Sequence, residues 1–193
     1  MPYRCIAVRG TSPIDPTIDI PAPRTDVLLS LGANIGERTS TIARAIELIG
    51  GSPGIELVAV SAMYETDPVG YLEQPAFINA AAAIRTTLAP ERLLERLREI
   101  ESALGRRRRT RWHEREIDID ILLFGDHVVE RDDLHIPHRE MHRRRFVLAP
   151  LAEIAPTARH PVTGLTVAEL LERCDDASGV RRIDDNTQQT TSA

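Results

Sequence analysis

The alternation Ile117-Asp118-Ile119-Asp120-Ile121 points to one local backbone, because in an extended strand every second side chain falls on the same face. The three isoleucines then face a core and the two aspartates share the opposite face, roughly 6 to 7 Å apart along the strand. Such a pair suits joint ligation of a hard cation such as Mg2+, which takes oxygen ligands and leaves positions for phosphate oxygens and water. A half-solvated antiparallel strand would show the same alternation. The preceding residues favour the first reading: Gly105 to Glu116 holds six arginines (Arg106, Arg107, Arg108, Arg109, Arg111, Arg115) around Trp112.

Guanidinium forks beside paired carboxylates fit phosphoryl transfer, where cations on the aspartates bridge phosphate oxygens and arginines neutralise the charge that shifts. Neither G-x-x-x-x-G-K-[ST] nor G-x-G-x-x-G occurs in the sequence, so a nucleotide would be held by arginine and metal rather than by a glycine-rich loop. With 193 residues, 42% of them hydrophobic, one domain with a full core is expected. The net charge of −5 makes the arginine cluster a local feature, which favours a small anionic ligand over nucleic acid. The two cysteines, Cys5 and Cys174, imply no disulfide framework or zinc motif. A cytoplasmic protein with no membrane contact is expected, since the first residues lack a signal-like apolar run.

Residues 1–26, with five prolines, read as an extended or disordered leader, 27–183 as the domain, and 184–193 as a disordered polar tail. Val27 to Leu31 reads as a buried strand running into a turn at Gly32, Asn34 and Gly36, and Thr39 to Ile49 as a helix stopped by Gly50 and Gly51. Ile55 to Thr66 reads as one strand, followed by a long loop, and Phe77 to Thr87 as another. Phe77 and Asn79 would share a face there, an aromatic plate beside an amide suited to a flat heterocycle; a core Phe and a turn-capping Asn are the plainer alternative. Pro90 to Leu104 is the clearest helix. His127 to Glu130 reads as a short extra strand, Thr166 to Cys174 as a short helix, and Arg143 to Arg145 as a second basic cluster against Phe146. His135, His138 and His142 do not make a zinc site, because Pro137 interrupts any helix and no cysteine joins them.

The order strand, helix, strand, strand, helix, strand is that of an α+β ferredoxin-like plait: an antiparallel four-stranded sheet core, two packed helices, and here a C-terminal extension. Taken together, LGANIGER, YETDPVGYLEQPAFINA, RWHEREIDIDILLFG and LHIPHREMHRRRFVLAPLAEIAP closely resemble the 6-hydroxymethyl-7,8-dihydropterin pyrophosphokinases of folate synthesis, over roughly Val27 to Pro156. The resemblance implies transfer of pyrophosphate from ATP to the hydroxymethyl oxygen of the pterin, giving AMP. It implies that Asp118 and Asp120 hold two Mg2+, and that Arg106 and Arg115 contact phosphate.

By the same resemblance, Phe77 and Phe146 stack on the pterin, and Asn79, with groups near Thr66 and Val69, reads its edge. Arg108 and Trp112 fall on the loop that closes over ATP. Gln74, Glu101, His138 and Arg144 complete the nucleotide side, with the Ile121 backbone near adenine. A monomer with pterin and ATP as its only partners is expected. The chain departs from the family's pattern at His113 and Glu114, where Gly-Pro is frequent, at Asp67 in place of a frequent proline, and at Arg139.

Two readings compete with this one. An RNA-binding plait would use the arginines and Phe77 as phosphate and stacking contacts, but leaves Asp118 and Asp120 unexplained. A catalytically dead binding domain would draw only on His113 and Glu114.

Overall fold

The computed structural model describes residues 24–67, 75–106 and 115–183. Val69, Gln74, Arg108 and Trp112, most of the leader and the tail fall outside these ranges. Chain order begins β1 (Thr25–Ala33), α1 (Arg38–Gly50), β2 (Ile55–Val60), β3 (Tyr64–Thr66), β4 (Phe77–Thr86), α2 (Pro90–Ala103) and β5 (Asp118–Phe124). A small hairpin, β6 (Val129–Glu130) and β7 (His135–Ile136), follows, then α3 (Arg145–Ile154), α4 (Val167–Glu172) and β8 (Val180–Arg182).

One antiparallel sheet runs β5-β1-β4-β3-β8, with β2 also paired to β4. It has six strands where the sequence suggested four, for two reasons. The expected strand Ile55 to Thr66 breaks at Ser61–Met63, where the Ser61 hydroxyl accepts the Ala81 N–H (2.9 Å) that a ladder carbonyl would otherwise take. There the Ala62 N–H turns out of the sheet to the Glu153 carboxylate of α3 (3.2 Å). The second reason is β8, a strand with no sequence expectation, which adds to the outer edge of β3.

The sheet is covered on both faces. Alternate residues of β1 (Val27, Leu29, Leu31) and β4 (Ile78, Ala80, Ala82, Ile84), with Ile117, Ile119 and Ile121, pack on Ile42, Ala45 and Ile49 of α1 and Leu93, Leu97 and Ile100 of α2. The isoleucines therefore point inward as the alternation requires. On the opposite face Leu28, Ala81, Leu122 and Leu123 meet Val147, Leu148 and Leu151 of α3 and Val167 and Leu170 of α4. Consecutive Leu122 and Leu123 both reach this second core because the register between β1 and β5 shifts between Leu28 and Leu29, leaving one extra residue in β5.

Helix α3 escaped the sequence reading. The Arg143–Arg145 run and Pro150, which lies inside the helix, mask an apolar stripe strong enough to bury Val147, Leu148 and Leu151 and to override the lost proline hydrogen bond. The expected helix Thr166 to Cys174 is shorter, Val167–Glu172. Thr166 is its cap, accepting the Glu169 N–H while Glu169 accepts the Thr166 N–H. Among the described residues no helix is long and apolar enough to cross a membrane.

Candidate active site

Because Ile119 and Ile121 belong to the α1/α2 core, Asp118 and Asp120 face the α3/α4 side. Phe77 and Asn79 flank the inward Ile78 and face the same side. Register then fixes neighbours: Asp118 lies opposite Gly32 of β1, and Gly32 lies opposite Asn79 of β4. A single row across three strands thus runs carboxylate, glycine, amide. At ordinary strand spacing its two ends are about 10 Å apart.

Gly32 is part of this row, although the sequence pattern around it points to a turn. It is the penultimate residue of β1, not a turn residue, and a Cβ on it would sit 2.8 Å from the Asn79 side-chain oxygen. The glycine leaves room for that amide. Asn79 is buried and donates to the Thr66 hydroxyl (2.7 Å), so two residues expected on the same ligand edge do meet.

The carboxylate end is built from α2, β5 and the ends of the segment between them. Glu101, buried in the last turn of α2, accepts the Ile119 N–H (2.8 Å), which lies between the two aspartates in sequence. Arg106 ion-pairs with Glu101 and reaches Asp118 (2.8 Å), while Arg115 pairs with the other Asp118 oxygen. Arg115 is held in turn by Asn34, whose side-chain oxygen accepts its N–H (2.7 Å) and whose own N–H donates to the Arg115 carbonyl (3.1 Å). Asn34, expected only to favour a turn, is a buried clamp; no spacing rule could reveal a partner so distant in sequence.

Asp120, opposite Ser30 of β1, keeps some solvent contact but is hemmed in by protein. Loss of surrounding water, then repulsion from Asp118, pushes its carboxyl up to about 7, although Arg144 pulls the other way. Burial likewise raises Glu101, against the hydrogen bond from Arg106. His138 is pushed down to about 4, chiefly by burial and then by Arg144, so the ring is neutral at neutral pH. Its Nδ1 accepts the Glu140 N–H (3.2 Å), which leaves the proton on Nε2. The Arg144 guanidinium stands 5.9 Å from the centre of the Phe146 ring. Ile121 is a core residue by its side chain, which leaves only its backbone for any ligand.

Two crowded carboxylates on one face, one of them raised by burial and then by the other's charge, fit a divalent cation. Among the described residues no group of three His, Cys, Asp or Glu side chains could enclose an ion.

The family profile described as 7,8-dihydro-6-hydroxymethylpterin-pyrophosphokinase (HPPK) matches residues 28–156. The chain belongs to that family. It is 46% identical over 160 residues to the 2-amino-4-hydroxy-6-hydroxymethyldihydropteridine pyrophosphokinase of Methylorubrum extorquens, covering 83% of this chain and 99% of the relative. To the enzyme of the same name in Pseudomonas aeruginosa it is 43% identical over 157 residues, covering 81% and 96%. An HPPK-DHPS chain of Plasmodium falciparum, solved with pterin and p-hydroxybenzoate, superposes with a TM-score of 0.64 at 16% identity over 81% of this chain and 45% of that one. At that identity the likeness is one of fold, and this chain spans less than half of the Plasmodium protein. Among the residues expected at the HPPK site, Glu101, Arg106, Arg115 and Asp118 are joined directly, as are Thr66 and Asn79, whereas Val69, Gln74, Arg108 and Trp112 lie outside the described residues.

Proposed function

We propose that this chain transfers the pyrophosphoryl group of ATP to the hydroxymethyl oxygen of 6-hydroxymethyl-7,8-dihydropterin, giving AMP and the pterin diphosphate for folate synthesis. The observation that carries the reading is the row Asp118, Gly32, Asn79. It supports a site with a phosphate-and-cation end at Asp118 and a heterocycle-reading end at Asn79, at which a nucleotide and a pterin would meet between the two. Family membership supports the same reaction.

In this reading Asn79 and Thr66 hydrogen-bond the pterin edge, and Phe77 and Phe146 supply its stacking faces. Asp118 and Asp120 hold two Mg2+, which when bound would screen the triphosphate and polarise its oxygens. Arg106 and Arg115, both paired with Asp118, would offer forked donors to phosphate. Arg144 and neutral His138 complete the nucleotide side. The hydroxymethyl oxygen forms a bond to the β-phosphorus. The bond from that phosphorus to the α–β bridging oxygen breaks, AMP departs with the bridging oxygen, and the hydroxyl proton passes to solvent. Catalysis by positioning and charge stabilisation needs no strong base.

The strand order, with β2 and β3 acting as one interrupted strand, supports reading the core as a ferredoxin-like plait. A cytoplasmic monomer belongs to the same reading. Incubation with ATP, Mg2+ and the pterin tests it: AMP is expected. ADP would mean an ordinary kinase, and no nucleotide product at all would mean a catalytically dead domain.

A further inference from the structure

The segment Asp176–Ile183 lies beyond the residues 28–156 matched by the HPPK family profile. It touches both walls of the pterin site as read above. At one end, an Asp176 carboxylate oxygen accepts the Arg145 N–H (2.9 Å). Arg145 opens α3, and the preceding residue, Arg144, cannot cap the helix with its own side chain. Asp176 therefore satisfies one of the helix's unpaired donors and adds negative charge where the helix dipole favours it. Arg144 and Phe146 flank that anchored residue.

At the other end the segment docks on β3. Asp67 N–H donates to the Gly179 carbonyl and the Gly179 N–H returns a bond to the Asp67 carboxylate, both at 3.1 Å. Val180 then pairs with Thr66, the partner of Asn79, and the Ile183 N–H closes on the Met63 carbonyl (2.8 Å). The approach is tight: a Cβ on Gly179 would lie 2.5 Å from an Asp67 carboxylate oxygen. The far end of α3 is tied in as well, since Glu153 accepts the Tyr64 hydroxyl (2.8 Å) and lies 3.6 Å from the Arg182 guanidinium.

We infer that Asp176–Ile183 is a strap that sets the distance between the Phe146 wall and the Thr66/Asn79 wall of the pterin site, with Asp176, Gly179 and Asp67 as its positioning residues. It rests on the proposed reaction for the identity of the ligand. Among the described residues, the strap bonds to both walls and has no hydrogen bond to Arg106 or Arg115; of the nucleotide-side residues it neighbours only Arg144, through the Arg145 N–H. It therefore acts mainly on pterin affinity, which depends on both walls, and much less on nucleotide affinity, which it meets only beside Arg144.

The test compares Asp176→Ala, Asp176→Asn and Gly179→Ala with Thr166→Ala, which removes the α4 cap and lowers stability without removing any of the strap's hydrogen bonds. A non-hydrolysable ATP analogue with Mg2+ is titrated first, and 6-hydroxymethylpterin is titrated with that analogue saturating. Asp176→Ala and Gly179→Ala should each weaken pterin by roughly tenfold, as displacement of positioning groups does, with the analogue within about twofold. Asp176→Asn keeps an acceptor oxygen and should restore most of the loss.

Amide NMR spectra of the ligand-free proteins supply a second readout, in which Asp176→Ala should shift Thr66 and Asn79, and Gly179→Ala should shift Phe146. Pterin affinity that holds in both strap variants overturns the inference. So does equal weakening of both ligands, or an equal loss in Thr166→Ala. If the wild-type chain takes no pterin, the reaction proposed above fails. The spectra still decide the strap in that case: shifts confined to the end that was changed overturn it.

Discussion

Asn34 and Arg115 are joined by a reciprocal pair of hydrogen bonds, side-chain oxygen to N–H at 2.7 Å and N–H to carbonyl at 3.1 Å, across a separation of 81 residues. This clamp fixes where the chain re-enters the fold ahead of β5. Because Arg115 pairs with Asp118, the same clamp holds a guanidinium at the carboxylate face of β5.

Asn34→Ala removes the acceptor and leaves the Arg115 N–H unpaired in a part-buried setting. A loss of about 1–3 kcal/mol of stability is expected, read by denaturant unfolding. Turnover should fall further than stability alone explains, since Arg115 would no longer be held on Asp118. A variant whose turnover tracks only its folded fraction would assign Asn34 a purely structural role.

Gly32→Ala tests the row from Asp118 to Asn79. Its Cβ would meet the Asn79 oxygen at 2.8 Å, so the amide must shift and its bond to Thr66 with it. Pterin affinity should drop while nucleotide affinity and the fold persist. If pterin binds as in the wild type, the amide has room to move and the row does not set pterin recognition.

How far the sequence foretold this site depended on the range of each interaction. Ile117 to Ile121 could be assigned to faces from alternation alone, and the core bears that out. Leu93, Leu97 and Ile100 likewise announced α2. The misses have another cause. Gly32 and Asn34 looked like turn residues because sequence shows their conformational tolerance and not their partners, Asn79 and Arg115, which tertiary pairing supplies. Helix α3 was hidden by Pro150 and an arginine run whose local preferences its buried stripe outweighs. Strand β8 has few residues, and its pairing to β3 could not be read from pattern.

A pH prediction follows from Asp176. Burial works to raise its carboxyl, but hydrogen bonds from Ser178 and from the Arg145 N–H outweigh it and hold the group below the usual carboxylate value. A depressed folded value means that the stabilisation is present above the unfolded carboxylate pKa of about 4 and is lost as pH falls through the folded value. Asp176→Asn has no charge to titrate. Melting temperatures should favour the wild type near neutrality, and the gap should close in acid. A gap that stays constant with pH would show that the charge contributes nothing.

Asp120→Asn tests the carboxylate pair itself. The amide is nearly the same size and keeps one oxygen, so β5 should form as before. One negative charge facing the cations disappears, and hard cations depend on such charge. A cost of several kcal/mol in transition-state stabilisation, on the order of a thousandfold in turnover, is expected in the AMP assay. The effect on the metal-free protein runs the other way. With its folded value raised to about 7, Asp120 stabilises the fold only while it holds its proton, so that contribution is full below the unfolded value and fades as pH rises through 7. The asparagine variant should therefore melt at or above the wild type at pH 8 without Mg2+ and ATP, and below it when both are present at saturation. A variant that keeps wild-type turnover would remove Asp120 from the metal face, whereas a lower melting temperature at pH 8 without ligands would mean that Asp120 serves the fold before it serves the site.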